Sequence, residues 1–126
     1  MNPSIRKFDP DREFLIPEGC HIMELLNSPH DPDASLARAR VPSGVTTRWH
    51  RLSGIVERYV ILEGAGVVEV GDLPATAVGP GDVVWIPPMC RQRIHNPGPA
   101  DLVFLAVCTP RYTDGAYEDM EGRRKA

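Results

Sequence analysis

The sequence contains few cysteines, and their spacing fits neither a disulfide framework nor a zinc knuckle. There are three cysteines in 126 residues, Cys20, Cys90 and Cys108, and no two of them form a CxxC pair. An odd number of widely separated cysteines is typical of reduced thiols rather than of a disulfide-rich secreted domain. We therefore expect all three thiols to be free and mostly buried.

The sequence also lacks long hydrophobic runs and an excess of positive charge. Its longest apolar run, Leu102 to Cys108, is far shorter than the ~20 residues that a membrane span requires. Met1 to Pro17 contains no apolar core of a secretory signal. Acidic residues outnumber basic ones by 17 to 14, which disfavours a nucleic-acid partner. We expect a cytoplasmic protein with no membrane and no nucleic-acid partner.

Glycine and proline, in contrast, are abundant. The 11 glycines and 13 prolines make up 24 of 126 residues, well above the roughly 12% of an average protein. They follow no three-residue period, which excludes collagen, and they interrupt the chain too often for a helical bundle. A chain of 126 residues suits one domain with its own core. These features predict a single domain with many turns.

Short β-rich segments recur between the turn signals, a rhythm typical of β-sandwiches and β-barrels. The predicted strands are Cys20–Leu26, Ala34–Val41, Val45–His50, Val56–Glu63, Val67–Val70, Asp82–Ile86, Arg91–Asn96 and Leu102–Thr109. Near the end of the chain, Ala116–Met120 is predicted to form one helical turn, and Arg123–Lys125 a solvated tail. The sequence therefore predicts an all-β fold.

Three of the predicted strands contain segments that are apolar on both faces: Tyr59–Leu62, Val83–Ile86 and Leu102–Val107. A strand with one face in water should instead alternate between apolar and polar residues. The opposing sheet can cover only one face, so the other must meet the N-terminal segment or another subunit. We expect a homodimer, with Phe8 and Phe14–Ile16 in its interface.

Two sets of regularly spaced residues stand out between positions 44 and 96. The first set is Gly44, His50, Glu57 and Gly64, and the second is Gly81, Pro87 and Asn96. At this spacing the sequence resembles the cupin superfamily. The resemblance implies a double-stranded β-helix, or jelly-roll, barrel. It implies one cupin domain over residues 1–126, with its core at about 34–110, N-terminal strands within 8–30 and a C-terminal tail at 111–126.

The sequence departs from the cupin motifs at three positions. Leu52 stands in place of the second histidine, Met89 in place of the second-motif glycine, and Gln92 in place of the third histidine. The resemblance implies a metal site formed by His50, Glu57 and Gln92. These donors suit a divalent ion such as Mn, Fe(II), Mg, Ni or Zn. An amide is a poor ligand, and Gln92 could instead form a hydrogen bond with Glu57.

Strand alternation places further side chains beside these ligands. If His50 points inward, Arg48 does so too, because residues two apart share a face. By the same rule Tyr59 lies on the face of Glu57. We expect a mostly apolar interior with a few convergent polar groups, as in small-molecule sites. In it, Glu57 would act as a base, Arg48 would bind an anionic substrate or pair with Glu57, and Tyr59 would donate a proton.

The predicted function is binding of a small oxygenated or anionic metabolite by a metal-dependent isomerase, epimerase or lyase. Three alternatives stay open: a metal-free enzyme with Glu57 as general base, a non-enzymatic ligand-binding or sensory cupin, and a metal-dependent dioxygenase. Arg38 and Arg40 share one strand face that either rims the site or projects into water. The sequence does not decide between these two orientations.

Overall fold

The computed structural model describes residues 2–123, which form β-strands and two short 3-10 helices. The helices are Pro10–Arg12 and Asp114–Ala116. The strands in this part of the chain are β1 (Phe14–Leu15), β2 (His21–Leu26), β3 (Ser35–Val41), β4 (His50–Leu52), β5 (Val56–Glu63), β6 (Gly66–Val70), β7 (Thr76–Val78), β8 (Val83–Ile86), β9 (Gln92–His95), β10 (Leu102–Thr109) and β11 (Tyr117–Asp119). The all-β prediction is confirmed.

Two antiparallel sheets enclose the core. One has six strands in the order β1-β2-β3-β10-β5-β8, and the other has five in the order β11-β4-β9-β6-β7. Several neighbouring strands come from distant parts of the chain, as in a double-stranded β-helix. Apolar side chains of both sheets fill the space between them, among them Ile61, Phe104, Val68 and Ile94. The predicted jelly-roll barrel is therefore confirmed.

The predicted strand Val45–His50 is wrong, because the strand in this region is β4, which only begins at His50. The two preceding backbone N–H groups bind outside any strand ladder. That of Arg48 donates to the carbonyl oxygen of Glu18 at 2.9 Å, and that of Trp49 donates to the carboxylate of Glu121 at 2.7 Å. Strand alternation therefore cannot be extended backwards from His50.

The predicted helical turn at Ala116–Met120 is also wrong. Tyr117–Asp119 forms β11, which pairs with β4 through Tyr117↔Leu52 and Asp119↔His50. This pairing gives hydrogen-bond partners to the backbone groups on the edge of β4 that β9 does not cover. Unpaired backbone groups at a sheet edge favour such a partner strand. Arg123, at the start of the predicted tail, is exposed. The rest of that tail lies outside the described residues.

Two turns depend on the left-handed backbone region. Gly64, between β5 and β6, has a φ of +81°, and a Cβ there would collide with the carbonyl oxygen of Asp101. Met89, between β8 and β9, has a φ of +65° and is the sole non-glycine with a positive φ among residues 2–123. The turn in which Met89 replaces the motif glycine therefore keeps the backbone conformation that glycine favours.

The N-terminal segment is held by an ion-pair cluster on the outside of β3. Glu13 binds Arg40 at 2.6 Å and Arg38 at 3.3 Å. The alternate residues of β3, Ala37 and Ala39, face the interior of the barrel. Arg38 and Arg40 therefore point away from the interior, which decides the orientation that the sequence left open.

The outer face of the six-stranded sheet keeps large apolar side chains in solvent. Val83 and Trp85 on β8 are 61% and 62% exposed. β1 pairs with β2 of its own chain and leaves these two side chains uncovered. The homodimer stays a prediction. Within the described residues, no helix has the length and the apolar character needed to cross a bilayer.

Candidate active site

A cavity of about 320 Å³ lies inside the barrel. Its wall is mostly apolar and comes from the six-stranded sheet, from β4 and β11, and from the segments after β1 and after β10. The apolar lining side chains are Phe14, Ile16, Ile22, Leu36, Ala37, Ala39, Leu52, Phe104 and Ala106. This volume is at the lower end of the range for ligand sites, and it suits a small molecule.

Three ionisable side chains in the wall form one electrostatic cluster. Glu18 lies in the turn between β1 and β2, His50 is the first residue of β4, and Glu57 is the second residue of β5. Nε2 of His50 is 3.5 Å from Oε1 of Glu18. The charges of both His50 and Glu18 act on Glu57. The barrel thus gathers one imidazole and two carboxyl groups at an otherwise apolar cavity.

His50 is oriented by its own strand and by an aromatic neighbour. Its Nδ1 is 2.8 Å from the carbonyl oxygen of Arg48, and its ring stacks on Tyr117 with centroids 5.3 Å apart. A carbonyl oxygen can only accept a hydrogen bond, so Nδ1 carries the proton. In the neutral imidazole, Nε2 then offers its lone pair towards Glu18.

Glu57 is a buried carboxyl group with two partners. The amide of Gln92 donates to Oε1 of Glu57 at 2.8 Å, and the thiol of Cys108 lies 3.8 Å from Oε2. Several effects together raise the pKa of Glu57 to about 7: burial is the largest and raises it, the charge of His50 lowers it, the charge of Glu18 raises it, and the hydrogen bond from Gln92 lowers it. Near neutral pH this carboxyl group can therefore both accept and release a proton.

Gln92 lies between the other predicted ligands. It is fully buried and pairs with His50 across β4 and β9. It turns its amide nitrogen towards Glu57, while its Oε1 has no hydrogen-bond partner. Of the two sequence interpretations, the structure shows the hydrogen bond to Glu57. Ligation by Gln92 stays a prediction.

The prediction that Arg48 points inward with His50 is wrong. The Arg48 side chain is 45% exposed and binds Asp119 at 3.0 Å, outside the cavity wall. The reason is the irregular backbone before β4, which breaks the two-residue alternation. Neither a substrate in the cavity nor Glu57 therefore has Arg48 as its partner.

Tyr59 does line the cavity, as predicted. Its buried ring packs against Phe104 with centroids 4.4 Å apart. Burial raises the pKa of Tyr59 well above its ordinary value, so the phenol stays protonated. The phenol can therefore donate a hydrogen bond to a ligand in the cavity.

Glu18 is a site residue that sequence reasoning missed. It belongs to no motif, and it meets His50 only because β1 and β2 fold back over the cavity. Cys20, which like the other two cysteines is free, places its thiol 3.6 Å from Oε2 of Glu18. The one local signal is the turn at Pro17–Gly19, and it does not indicate a long-range partner.

The family model described as "Cupin domain" matches residues 37–108, the part of the chain that forms the barrel. The chain is a cupin. The match spans His50, Glu57 and Gln92 together, whereas Glu18 lies before it. The family thus accounts for the barrel and for three site residues, while the N-terminal carboxylate comes from outside the matched region.

Two curated proteins and one solved structure show how this cupin relates to others. It is 34% identical over 117 residues to an uncharacterised protein of Methanocaldococcus jannaschii, a match that covers 91% of this chain and 90% of that protein. It is 36% identical over 80 residues to an oxalate-binding protein of Thermotoga maritima, covering 62% of this chain and 64% of that protein. The structure of KdgF from Halomonas sp. superposes with a TM-score of 0.77 at 17% identity, covering 89% and 99% of the two chains. The last similarity shows the fold alone.

Many cupins bind a metal ion, so the donor set of this one decides whether it fits such an ion. Within residues 2–123, no three or more His, Cys, Asp and Glu side chains are grouped so that they could hold a metal ion. Gln92 presents N–H rather than oxygen to Glu57. The described side chains thus form no grouped set of His, Cys, Asp and Glu ligands, and the unpartnered Oε1 of Gln92 is a further oxygen beside His50 and Glu57. The metal ligands His50, Glu57 and Gln92 stay a prediction.

Proposed function

We propose that this cupin is an enzyme of the isomerase, epimerase or lyase type that moves a proton on a small oxygenated molecule. The observation that carries the proposal is the cluster at the cavity wall, where a buried carboxyl group lies near an imidazole whose Nε2 faces the carboxylate of Glu18. Reactions of these types share one step, the removal of a proton next to a carbonyl or hydroxyl group. That step requires a base inside a site that excludes water.

Each site residue has a role in this proposal. Glu57 takes the proton, and Gln92 holds the carboxylate in place through its hydrogen bond at 2.8 Å. His50 and Glu18 form a couple that can share a second proton across 3.5 Å and pass it to a substrate oxygen. Tyr59 keeps its phenol proton and provides a further donor in the wall. A general base whose pKa is near the working pH is the most effective, and burial brings Glu57 into that range.

A non-enzymatic binding role is the second candidate. It is supported by the similarity to the oxalate-binding protein, whose name describes binding. The same cavity would then hold a ligand without changing it. The two roles differ in one measurable way, because only an enzyme exchanges a carbon-bound hydrogen of the molecule that it binds.

The test is hydrogen exchange in D₂O, followed by proton NMR on a panel of small hydroxyaldehydes and hydroxyketones. We expect the protein to accelerate loss of the signal next to the carbonyl group. Glu57→Gln should slow this exchange by at least about 100-fold, the usual contribution of a general base. Glu63→Gln is the matched control, since Glu63 lies exposed at the far end of the same strand. Equal rates in wild type and Glu57→Gln would refute the role of Glu57, and binding without exchange would favour the second candidate.

A further inference from the structure

We infer that the cavity takes a ligand with a protonated amine on a small apolar body, and not a carboxylate. The inference rests on the proposed function for the reaction, but binding can be measured by itself. This ligand class differs from the anionic alternative of the sequence prediction, and three properties of the wall favour it: its charge, its hydrogen-bonding groups and its aromatic residues.

The charged groups of the wall are almost all acidic. They are Glu18, Glu24, Glu57 and Asp114, with His50 as the one basic group. Within residues 2–123 no arginine or lysine lines the cavity. Arg38 and Arg40 pair with Glu13 on the outside of β3. A carboxylate ligand would therefore meet like charges at short range with no cation to offset them, whereas an ammonium group would neutralise them.

The carboxyl groups of the wall offer acceptor oxygens to a ligand. Oε1 of Glu18 lies 3.5 Å from Nε2 of His50, and an ionised carboxylate can only accept hydrogen bonds. The protein donors nearby are already directed to carboxylate oxygens, that of Gln92 to Glu57 and the thiol of Cys20 to Glu18. An ammonium group carries three N–H donors and no acceptor, so it complements these oxygens better than a hydroxyl group does.

The rest of the wall suits an apolar body beside a cation. The rings of Tyr59, Tyr112 and Tyr117 line the cavity, and aromatic faces attract cations. The aliphatic side chains of β2 and β3 cover the opposite part of the wall. A volume of about 320 Å³ equals about ten water molecules at 30 Å³ each, which limits the ligand to about ten heavy atoms.

A set of three unreactive probes of nearly equal size tests the inference. They are cyclohexylmethylamine, cyclohexylmethanol and cyclohexanecarboxylate, measured by thermal shift and calorimetry at pH 7 in the presence of EDTA. We expect the amine to bind at least tenfold more tightly than the alcohol, and the carboxylate to bind most weakly. If the carboxylate binds as tightly as the amine, or if the alcohol equals the amine, the inference is wrong.

Two variants test whether Glu18 causes the preference for the amine. Glu18→Gln should weaken binding of the amine by about tenfold and leave binding of the alcohol unchanged. Glu63→Gln should change the affinity for neither probe. An amine that binds Glu18→Gln as tightly as wild type would also overturn the inference. Failure here is separate from failure of the proposed function. If hydrogen exchange still depends on Glu57 while amine binding fails, the substrate class alone is wrong.

Discussion

Glu57 occupies a position in which a carboxylate is costly to ionise. It is buried in the barrel wall with no arginine or lysine beside it in the described part of the chain, and burial is the largest cause of its raised pKa. The groups that face it are His50, Glu18, Gln92, Cys108 and Tyr59. A buried acid without a strong cationic partner lowers the stability of the fold at neutral pH, and such strain is common at functional sites.

This cost predicts how stability depends on pH. The pKa of Glu57 is about 7 in the folded protein, against 4.5 in an unperturbed chain. Between these values the unfolded chain has lost a proton that the folded chain keeps, so stability falls as the pH rises through this window. The full effect corresponds to about 3 kcal/mol. The free energy of unfolding can be measured with urea at pH 5 and pH 8 in the presence of EDTA. Glu57→Gln should lose the part of the pH-dependent decrease in stability that Glu57 causes, and Glu63→Gln should retain it. The same decrease in Glu57→Gln as in wild type would contradict the raised pKa.

The predictability of individual residues depends on where their partners lie in the sequence. His50, Glu57 and Gln92 could be predicted because the cupin spacing marks them, and the structure brings all three together. Glu18 could not, since its contact with His50 crosses from the N-terminal segment into the barrel. Arg48 was misplaced because a strand rule was applied to backbone that is not a strand.

At the scale of elements, periodicity and turn residues define the interior strands well and the irregular edges poorly. β5 and β10 have the predicted bounds, because each contains an apolar run and lies between turns rich in glycine or proline. β11 was predicted as helix, since three residues carry little periodic signal and their conformation is decided by the open edge of β4. The sequence reasoning misses the short strand β7 for the same reason.

The turn between β5 and β6 offers a prediction at this scale. Gly64→Ala should lower the free energy of unfolding by more than Gly44→Ala. Both glycines have a positive φ, which costs an alanine about 1–2 kcal/mol, but a Cβ at Gly44 meets open space and one at Gly64 meets the carbonyl of Asp101. The free energies of unfolding of the two variants, measured by chemical denaturation, differ by the cost of this collision. Equal losses would show that the turn relaxes around the new methyl group.

At the scale of the whole molecule, the exposed face of the six-stranded sheet predicts a homodimer. Trp85 and Val83 project from β8 into solvent, and such apolar surface usually marks an interface. We expect a dimer by sedimentation at micromolar concentration, and Trp85→Glu should convert it to a monomer with the barrel intact. Leu73→Glu, at another exposed apolar position, should leave the dimer unchanged. A wild-type monomer at that concentration would contradict the prediction.

We propose that the side chains of the cavity move the proton without a metal ion. This proposal is tested by hydrogen exchange with native and chelator-treated protein, and by elemental analysis of the same samples. Gln92→His, which restores a family histidine beside His50 and Glu57, is a control for metal binding. We expect well under one equivalent of divalent metal in the wild type and an exchange rate that chelation does not change. One equivalent of metal that His50→Ala loses, with exchange abolished by the chelator, would contradict the claim.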